Sequence, residues 1–429
     1  MIGQGLVLAT TAVSVGAVAL TVVGLHTQSW AGLTESPKEL VDEVWQVVYQ
    51  NYVDPSFNKN DWRQVRRQYL SRSYTSKEQA YGAIREMLER LEDPYTRFME
   101  PEQFQSMRID TSGELTGVGI QLAQDEKTKQ LVVISPIEDT PAARAGILAQ
   151  DVIVKINDKS TQGMDINQAV ALIRGKAGTT VQLTIRRGER QAVYTLKRER
   201  IELHAVRSEV QESRLGKLGY IRLTQFNGNA SADMRKAIED LEKQQVVGYI
   251  LDLRSNPGGL LQSSVEIADM WLDRGTIVST KTRVGEAERY EARRSTLTNK
   301  PLVVLVDGGS ASASEILAGA LQDNQRAVLV GTKTFGKGLV QSVRELQDGS
   351  GLAVTIAKYY TPAGRNINKE GINPNVEISL TDEQREAILK NRAVGTPQDP
   401  QYARALEALS QLLKVATKEG RPAAPASGT

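Results

Sequence analysis

The segment that most constrains the fold runs from Val303 to Gln341. A β-branched apolar run, Val303 to Val306, stops at Asp307-Gly308-Gly309. A serine-alternating turn, Ser310-Ala311-Ser312-Ala313-Ser314, then leads into a helical pattern beginning near Glu315. A second buried-strand run, Ala327 to Val330, ends in a glycine-framed turn, Gly331 to Gly338, that holds Lys337 between two glycines. Strand, turn, helix, strand and turn in this order predict a sheet with helices packed on it. They also predict one serine at a strand-to-helix turn and one lysine in the next turn, the parts of a serine nucleophile with a lysine base.

The rare residues narrow the chemistry. With no cysteine among 429 residues, a thiol nucleophile, a thiolate metal site and a disulfide are excluded. The two histidines, His26 and His204, cannot supply a helix carrying a paired zinc motif. A Ser-His-Asp triad could use only His204 if His26 lies in a removed leader, so lysine is the natural candidate for general base. Lys plus Arg at 53 against Asp plus Glu at 51 makes no electrostatic case for nucleic acid.

Residues 1–34 carry no charged side chain, and Leu6 to Leu25 is nearly continuous apolar and small sequence. Residues 1–31 therefore read as a secretory signal ending at Ser29-Trp30-Ala31. An uncleaved membrane anchor is the alternative, since the run is long enough to span a bilayer. Either reading exports the rest of the chain.

Residues 32–108 read as a helical region. Ser36-Pro37-Lys38-Glu39 has the spacing of a capping box, and Leu40, Val41, Val44, Trp45, Val48 and Tyr52 follow at helical period. Asn60 or Asp61 opens a helix through Leu70. Thr75 with Glu78 repeats the box before Tyr81, Ile84, Leu88 and Leu91, and Asp93-Pro94 stops it. The aromatic residues read as core.

Residues 109–200 change character. Short strands (from Gly117-Val118-Gly119-Ile120, Leu131 to Ser135, Val152 to Ile156, and a hairpin around Arg187-Gly188) alternate with helices at Ala142 to Ala145 and after Asp165. The order resembles a PDZ domain, a small β-barrel. Gly117, Val118, Gly119 and Ile120 stand in the place of its carboxylate-binding loop. Consecutive N–H groups in a glycine turn form a nest for a terminal carboxylate, and the following strand edge can take an extended peptide. The groove is expected between Ile120 to Leu122 and the Ile166 to Ile173 helix.

From 201 to 385 strands and helices alternate again, with Asn256-Pro257-Gly258-Gly259 as a turn after a buried strand. Residues 386–429 hold an amphipathic helix, Gln401 to Lys414, and a tail rich in Pro, Ala, Ser and Gly expected to be disordered. The fold class is thus multidomain α/β (α+β): a helical region, a PDZ-like barrel, and a core of β-sheet packed with helices.

Ser312 has two uses at one position. With Glu315 it can cap a helix, and the same place exposes its hydroxyl beside the Ala313 N–H and the positive helix end. On the residues alone Ser310 and Ser314 stay open as alternatives. A lysine base must be neutral, and at an ordinary pKa only ~1 in 2,500 is neutral at pH 7. Lowering the pKa by three units costs about 4 kcal/mol and demands burial without a carboxylate partner. Phe335, Leu339 and Val340 are the candidate walls. Gly331-x-x-x-x-Gly336-Lys337 imitates a phosphate loop, but Gly338 replaces the magnesium-binding hydroxyl and Leu339 to Val343 alternate like a strand.

SASASE, Asp323 in LQD, the TFGKG turn and Gln341 resemble the carboxyl-terminal processing peptidases, or tail-specific proteases. RSNPGG at 254–259, KYYTPAGR at 358–365 and GINPN at 371–375 match further motifs, with Asn375 where the family often has Asp. The resemblance covers about residues 35–380. It implies Ser312 as nucleophile, Lys337 as general base, Gln341 as the residue that positions the lysine, and Gly258 and Ala313 as oxyanion donors. Asp323 matches an acidic position once tied to catalysis in that family, and is read here as structural. No metal or cofactor is implied, and the partner is a protein substrate with a free C-terminus, held by the PDZ domain. The domain order most resembles cyanobacterial and plastid members, which trim a photosystem II reaction-centre precursor in the thylakoid lumen; bacterial relatives work in the periplasm. The Gln341 role carries a geometric condition: in a straight strand its Cα lies ~13 Å from that of Lys337, so a bend is required. The rival reading is a tail-binding scaffold with an idle serine-lysine pair; an esterase on the same core is the third.

Overall fold

Ser36-Pro37 starts the first helix of the structure, a computed structural model that describes residues 6–7, 36–125 and 128–418. The expected leader, its cleavage site and the tail from 419 fall outside those residues, except for a two-residue strand, β1 (Leu6–Val7). No helix among the described residues is long and apolar enough to cross a membrane.

Three helices follow, α1 (Pro37–Asn51), α2 (Trp62–Leu70) and α3 (Lys77–Glu89), then β2 (Arg97–Met99) and α4 (Pro101–Ser112). Asp61 caps α2 as expected. The other two caps differ. The Ser36 side chain makes no cap bond, and its carbonyl instead accepts the Glu39 N–H at 2.8 Å. Ser76 rather than Thr75 caps α3, because Gln79 offers the same spacing one residue on: its N–H donates to Ser76 Oγ while its Oε1 accepts from the Thr75 N–H. Trp45, Tyr52 and Tyr81 are core, as their spacing predicts.

Ser112–His204 form one compact unit. Its strands are β3 (Glu114–Gly117), β4 (Ile120–Gln124), β5 (Leu131–Pro136), β6 (Val152–Ile156), β7 (Lys159–Ser160), β8 (Thr180–Arg187), β9 (Arg190–Lys197) and β10 (Glu199–Glu202). Its helices are α5 (Pro141–Arg144) and α6 (Ile166–Ile173), the latter capped by Asp165. The main sheet runs β4-β5-β6-β8-β9, so one edge of β4 is unpaired among the described residues, and α6 packs beside β4. Gly119 has φ +78°, and a Cβ there would lie 2.3 Å from Thr140 Cβ, which is why only glycine fits.

The other unit joins residues up to Thr111 with those from Ala205 onward. It contains β11 (Val206–Ser213), β12 (Gly216–Leu223), α7 (Ala230–Lys243), β13 (Gly248–Asp252), α8 (Leu261–Asp269), β14 (Thr276–Thr282), β15 (Gly285–Glu291), β16 (Leu302–Val306), α9 (Ala313–Asp323), β17 (Val328–Gly331), β18 (Leu339–Glu345), β19 (Gly351–Tyr360), β20 (Val376–Glu377), α10 (Asp382–Lys390) and α11 (Pro400–Lys418). Two sheets result. One runs β11-β12-β13-β16-β17-β20 and is parallel from β12 to β20. The other runs β18-β19-β14-β15, with β1 on β18 and β2 on β19. The hairpin β14–β15 was not expected from sequence, since its second strand, GEAERYE, lacks an apolar face.

Residues 36–111 do not stand apart. β2 joins β19, and Leu346, Leu352 and Val354 share one core with Val44, Ile84 and Met87. α9 is buried from Ala313 to Leu321, so the turn before it has little room to move.

Candidate active site

The strand-to-helix turns after β13 and β16 lie side by side, because those strands are parallel neighbours and both turns leave their carboxyl ends. That is where open α/β sheets place ligands. A cavity of about 410 Å³ opens there, lined by Ser312, Lys337, Gln341, Tyr359, Pro257 and Gly259 among others.

The three serines of the turn separate at once. Ser310 Oγ donates to the Leu253 carbonyl at 2.8 Å, and Ser314 Oγ donates to the Asn256 carbonyl at 2.9 Å. Both are fully buried. Ser312 is the one that reaches the cavity. Its φ of 56° and ψ of −112° are unusual for a residue with a side chain, a strained turn of the kind that projects a hydroxyl outward. The Ala313 N–H at the start of α9 has no acceptor among the described residues.

Lys337 comes from the loop before β18, so the segment after the glycine-framed turn is a strand and not the helix of a phosphate loop. Its Nζ lies 4.8 Å from the centre of the Tyr95 ring and makes no hydrogen bond or ion pair among the described residues. Burial holds the amine below the ordinary lysine range; Arg97 pushes the same way, while Asp93 and Glu315 oppose it. None of the three expected walls, Phe335, Leu339 and Val340, lines the cavity. Phe335 is 57% exposed and does not line the cavity, because the loop turns it outward, and Val340 points into the main core. The wall is Tyr95. Asp93 fixes that loop by accepting from Tyr95 N–H at 3.0 Å, from Thr96 Oγ1 at 2.7 Å and from Thr355 Oγ1 on β19 at 2.6 Å.

Gln341 also lines the cavity, and its buried Nε2 has no hydrogen-bond partner among the described residues. The straight-strand geometry does not apply. Lys337 precedes the strand, and the register breaks between Val340 and Gln341, which re-aims the side chain. Beyond Gln341 the floor is apolar: Val343 pairs with Ala353, which pairs with Arg97, and Met99 and Met107 close the end.

Gly258, with φ +100°, abuts the Ser312 turn, and a Cβ there would lie 2.6 Å from the Ala311 carbonyl oxygen. Its N–H, however, already donates to Asn256 Oδ1 at 2.9 Å. The next N–H, that of Gly259, has no acceptor among the described residues, and Gly259 lines the cavity. Asp323 does not line the cavity. It pairs with Arg365 and accepts the Ala363 N–H at 3.0 Å, tying α9 to the segment after β19.

Tyr95, Tyr359 and Glu315 were not singled out by sequence as parts of the site. Burial pushes the Tyr359 phenol up, partly offset by the Ser312 side chain beside it. Tyr359 lay within KYYTPAGR and Glu315 within SASASE, so motif matching held a signal for both, whereas Tyr95 had none. In the other unit, Gly117 ends β3, Val118 is buried, and Ile120 begins β4. The N–H groups of Val118 and Gly119 have no acceptor among the described residues.

The profile of peptidase family S41 matches residues 217–378, and that of the PDZ domain matches residues 132–187. The chain is similar to a carboxyl-terminal-processing protease of Picosynechococcus sp., 46% identical over 376 residues, covering 87% of this chain and 89% of the relative. It is likewise similar to the chloroplastic carboxyl-terminal-processing peptidase 2 of Arabidopsis thaliana, 45% identical over 359 residues, covering 81% and 69%. Among solved structures, a photosystem II D1 C-terminal processing protease matches with a TM-score of 0.55 at 38% identity, covering 86% of this chain and all of that one (100%).

Proposed function

The chain belongs to the carboxyl-terminal-processing proteases of peptidase family S41, serine-type hydrolases, and from that premise we propose that Ser312 is its nucleophile and Lys337 its general base. One observation carries the reading. Of the three serines in the turn, Ser312 alone shares a cavity with an amine that burial holds below its ordinary range.

The neutral Lys337 amine leaves the Tyr95 ring and takes the Ser312 proton as Oγ attacks the scissile carbonyl. The oxyanion is received by the Ala313 N–H at the positive end of α9 and by the Gly258–Gly259 turn. Within that turn Gly259 is the better donor, because Gly258 would have to share its hydrogen with Asn256. The Lys337 ammonium then protonates the leaving amine, and water, deprotonated by the same lysine, releases the acyl group. Gln341, with an unbonded buried amide, steadies the lysine in its forward position.

The PDZ domain recognises the substrate's free C-terminus. The unbonded Val118 and Gly119 N–H groups suit a carboxylate, and the open edge of β4 suits an extended tail. The substrate is an exported protein. Kinship to cyanobacterial and chloroplastic proteases favours a photosystem II reaction-centre precursor in the thylakoid lumen.

Ser312→Ala and Lys337→Ala are to be assayed by mass spectrometry on a protein with a free apolar tail. Losses of about 10⁴-fold or more for the first and at least about 10²-fold for the second are expected. Near wild-type turnover in either variant would sink the assignment.

A further inference from the structure

The cavity that holds Ser312 and Lys337 is unevenly charged. Its lining carries two cations, Lys337 and Arg97, and no Asp or Glu. Arg97 opens β2 and pairs with Ala353 on β19. Arg97 and Met99 share the face of β2 that lines the cavity, while Phe98 between them turns into the helical core. The Arg97 side chain is exposed and makes no hydrogen bond or ion pair among the described residues. The two acids whose charge bears on Lys337 are already engaged. Asp93 accepts from Tyr95 N–H, Thr96 Oγ1 and Thr355 Oγ1, and buried Glu315 accepts from Thr334 Oγ1 and three backbone N–H groups.

We propose that Arg97 is a specificity-determining residue: it receives the carboxylate of an Asp or Glu side chain that the substrate carries within about three residues of the scissile bond, a span of ~10 Å in extended chain. The inference rests on the assignment of Ser312 and Lys337 above. Like charges gathered in one cleft without a counter-charge draw an anion into it. A guanidinium suits that anion, because it is weakly hydrated and its fork of N–H donors matches a carboxylate. Beyond Arg97 the floor of Met99, Val343 and Ala353 offers it no polar partner, so the partner must arrive with the substrate.

Arg97 also pushes the Lys337 amine down by its charge. Were that its whole role, the charge of the substrate would not matter to it, and substrate charge is therefore what the experiment varies. The probe is a protein with a tail of neutral residues that runs at least about eight residues past the scissile bond. That length, ~26 Å when extended, keeps the terminal carboxylate out of the cavity. Each of the three positions on either side of the scissile bond is replaced in turn by Asp, Asn and Lys, and cleavage is followed by mass spectrometry. At one position, or two adjacent ones, the wild-type protein should cleave the Asp substrate with a kcat/KM about fivefold or more above that of its Asn twin.

Arg97→Gln should bring that ratio to within about twofold of one, and Arg97→Glu should favour Lys over Asn at the same position. Each ratio is taken within one variant, so a general loss through Lys337 or a fraction of misfolded protein cancels from it. A wild-type protein indifferent to Asp at all the positions tried overturns the proposal. So does a preference for Asp that survives Arg97→Gln or Arg97→Glu. Ser312→Ala and Lys337→Ala run alongside. If they remain active, the catalytic assignment fails; if they are dead while the wild type ignores substrate charge, only the role of Arg97 fails.

Discussion

The Lys337 amine lies 4.8 Å from the centre of the Tyr95 ring, facing an aromatic surface where a buried lysine would ordinarily find a carboxylate. The ring comes from the segment between α3 and β2, and the lysine from the loop before β18. The contact is therefore made by tertiary structure alone. It shields from water an amine proposed to act in its neutral form.

The first prediction concerns pH. Because the folded-state pKa of Lys337 is depressed below 10.5, kcat/KM should rise with pH along a limb lying below the ordinary lysine range. Between the folded value and 10.5 the unfolded chain binds more protons at this site, so its contribution to stability is unfavourable below that window and improves as pH rises through it. Lys337→Met should thus be inactive and slightly more heat-stable at neutral pH. A lower Tm for Lys337→Met would refute it.

Tyr95 gives the second. Removing the ring takes away a cation-facing surface, which lowers the amine pKa, but admits water, which raises it. Burial is the larger influence on Lys337, so hydration should win. Tyr95→Ala should shift the rising limb to higher pH and cut kcat roughly tenfold at neutral pH, in proportion to the lost neutral fraction. Tyr95→Phe should behave like wild type. Steady-state profiles of the two variants check this.

Gly258 supplies the third. Alanine there meets both a φ of +100° and a carbonyl oxygen at 2.6 Å. The turn must move away from Ser312, costing about 1–3 kcal/mol of stability and disturbing the proposed oxyanion site. A large fall in kcat with a lowered denaturation midpoint is expected. A fully active Gly258→Ala would mean that the close approach is dispensable.

A fourth prediction tests the stability of the turn after β13. Arg254 is buried between Asp252 and Asp399, at 2.6 and 2.8 Å, and Tyr220 Oη donates to Asp252 at 2.8 Å. This network ties the end of β13 to the start of α11. Arg254→Met strands two buried carboxylates and should cost about 3–5 kcal/mol, measured by urea unfolding.

The tail-binding role yields the last. Amidating the C-terminus of a substrate removes the charge that the Val118 and Gly119 N–H groups are proposed to receive. KM should rise at least about tenfold while kcat changes little. An unchanged KM would remove the PDZ domain from substrate capture.

Much of this architecture was legible in the chain. The β16 and β17 runs, the α6 cap at Asp165 and the hairpin at Arg187-Gly188 all rest on local signals, and the structure places them as read. Where the reading slipped, a contact from elsewhere had decided. Phe335 looked like a wall because it neighbours Lys337 in sequence, yet it faces out and the wall came from Tyr95. Glu315 caps α9 as read, but three of its four donors lie beyond β17, out of reach of a local pattern.

The chain by itself determined its turns and its chemical inventory. Glycine conformations and apolar periods act over a few residues, and a sequence without cysteine and almost without histidine leaves an amine as the available base. Only the tertiary structure brought Ser312, and not Ser310 or Ser314, to the cavity, by handing the hydroxyls of those two to the Leu253 and Asn256 carbonyls. It also decided that the amine is held below its ordinary range. The reason is physical: a pKa is set by which groups exclude water and which charges lie near, and Tyr95, Asp93, Arg97 and Glu315 meet Lys337 only once the chain has folded.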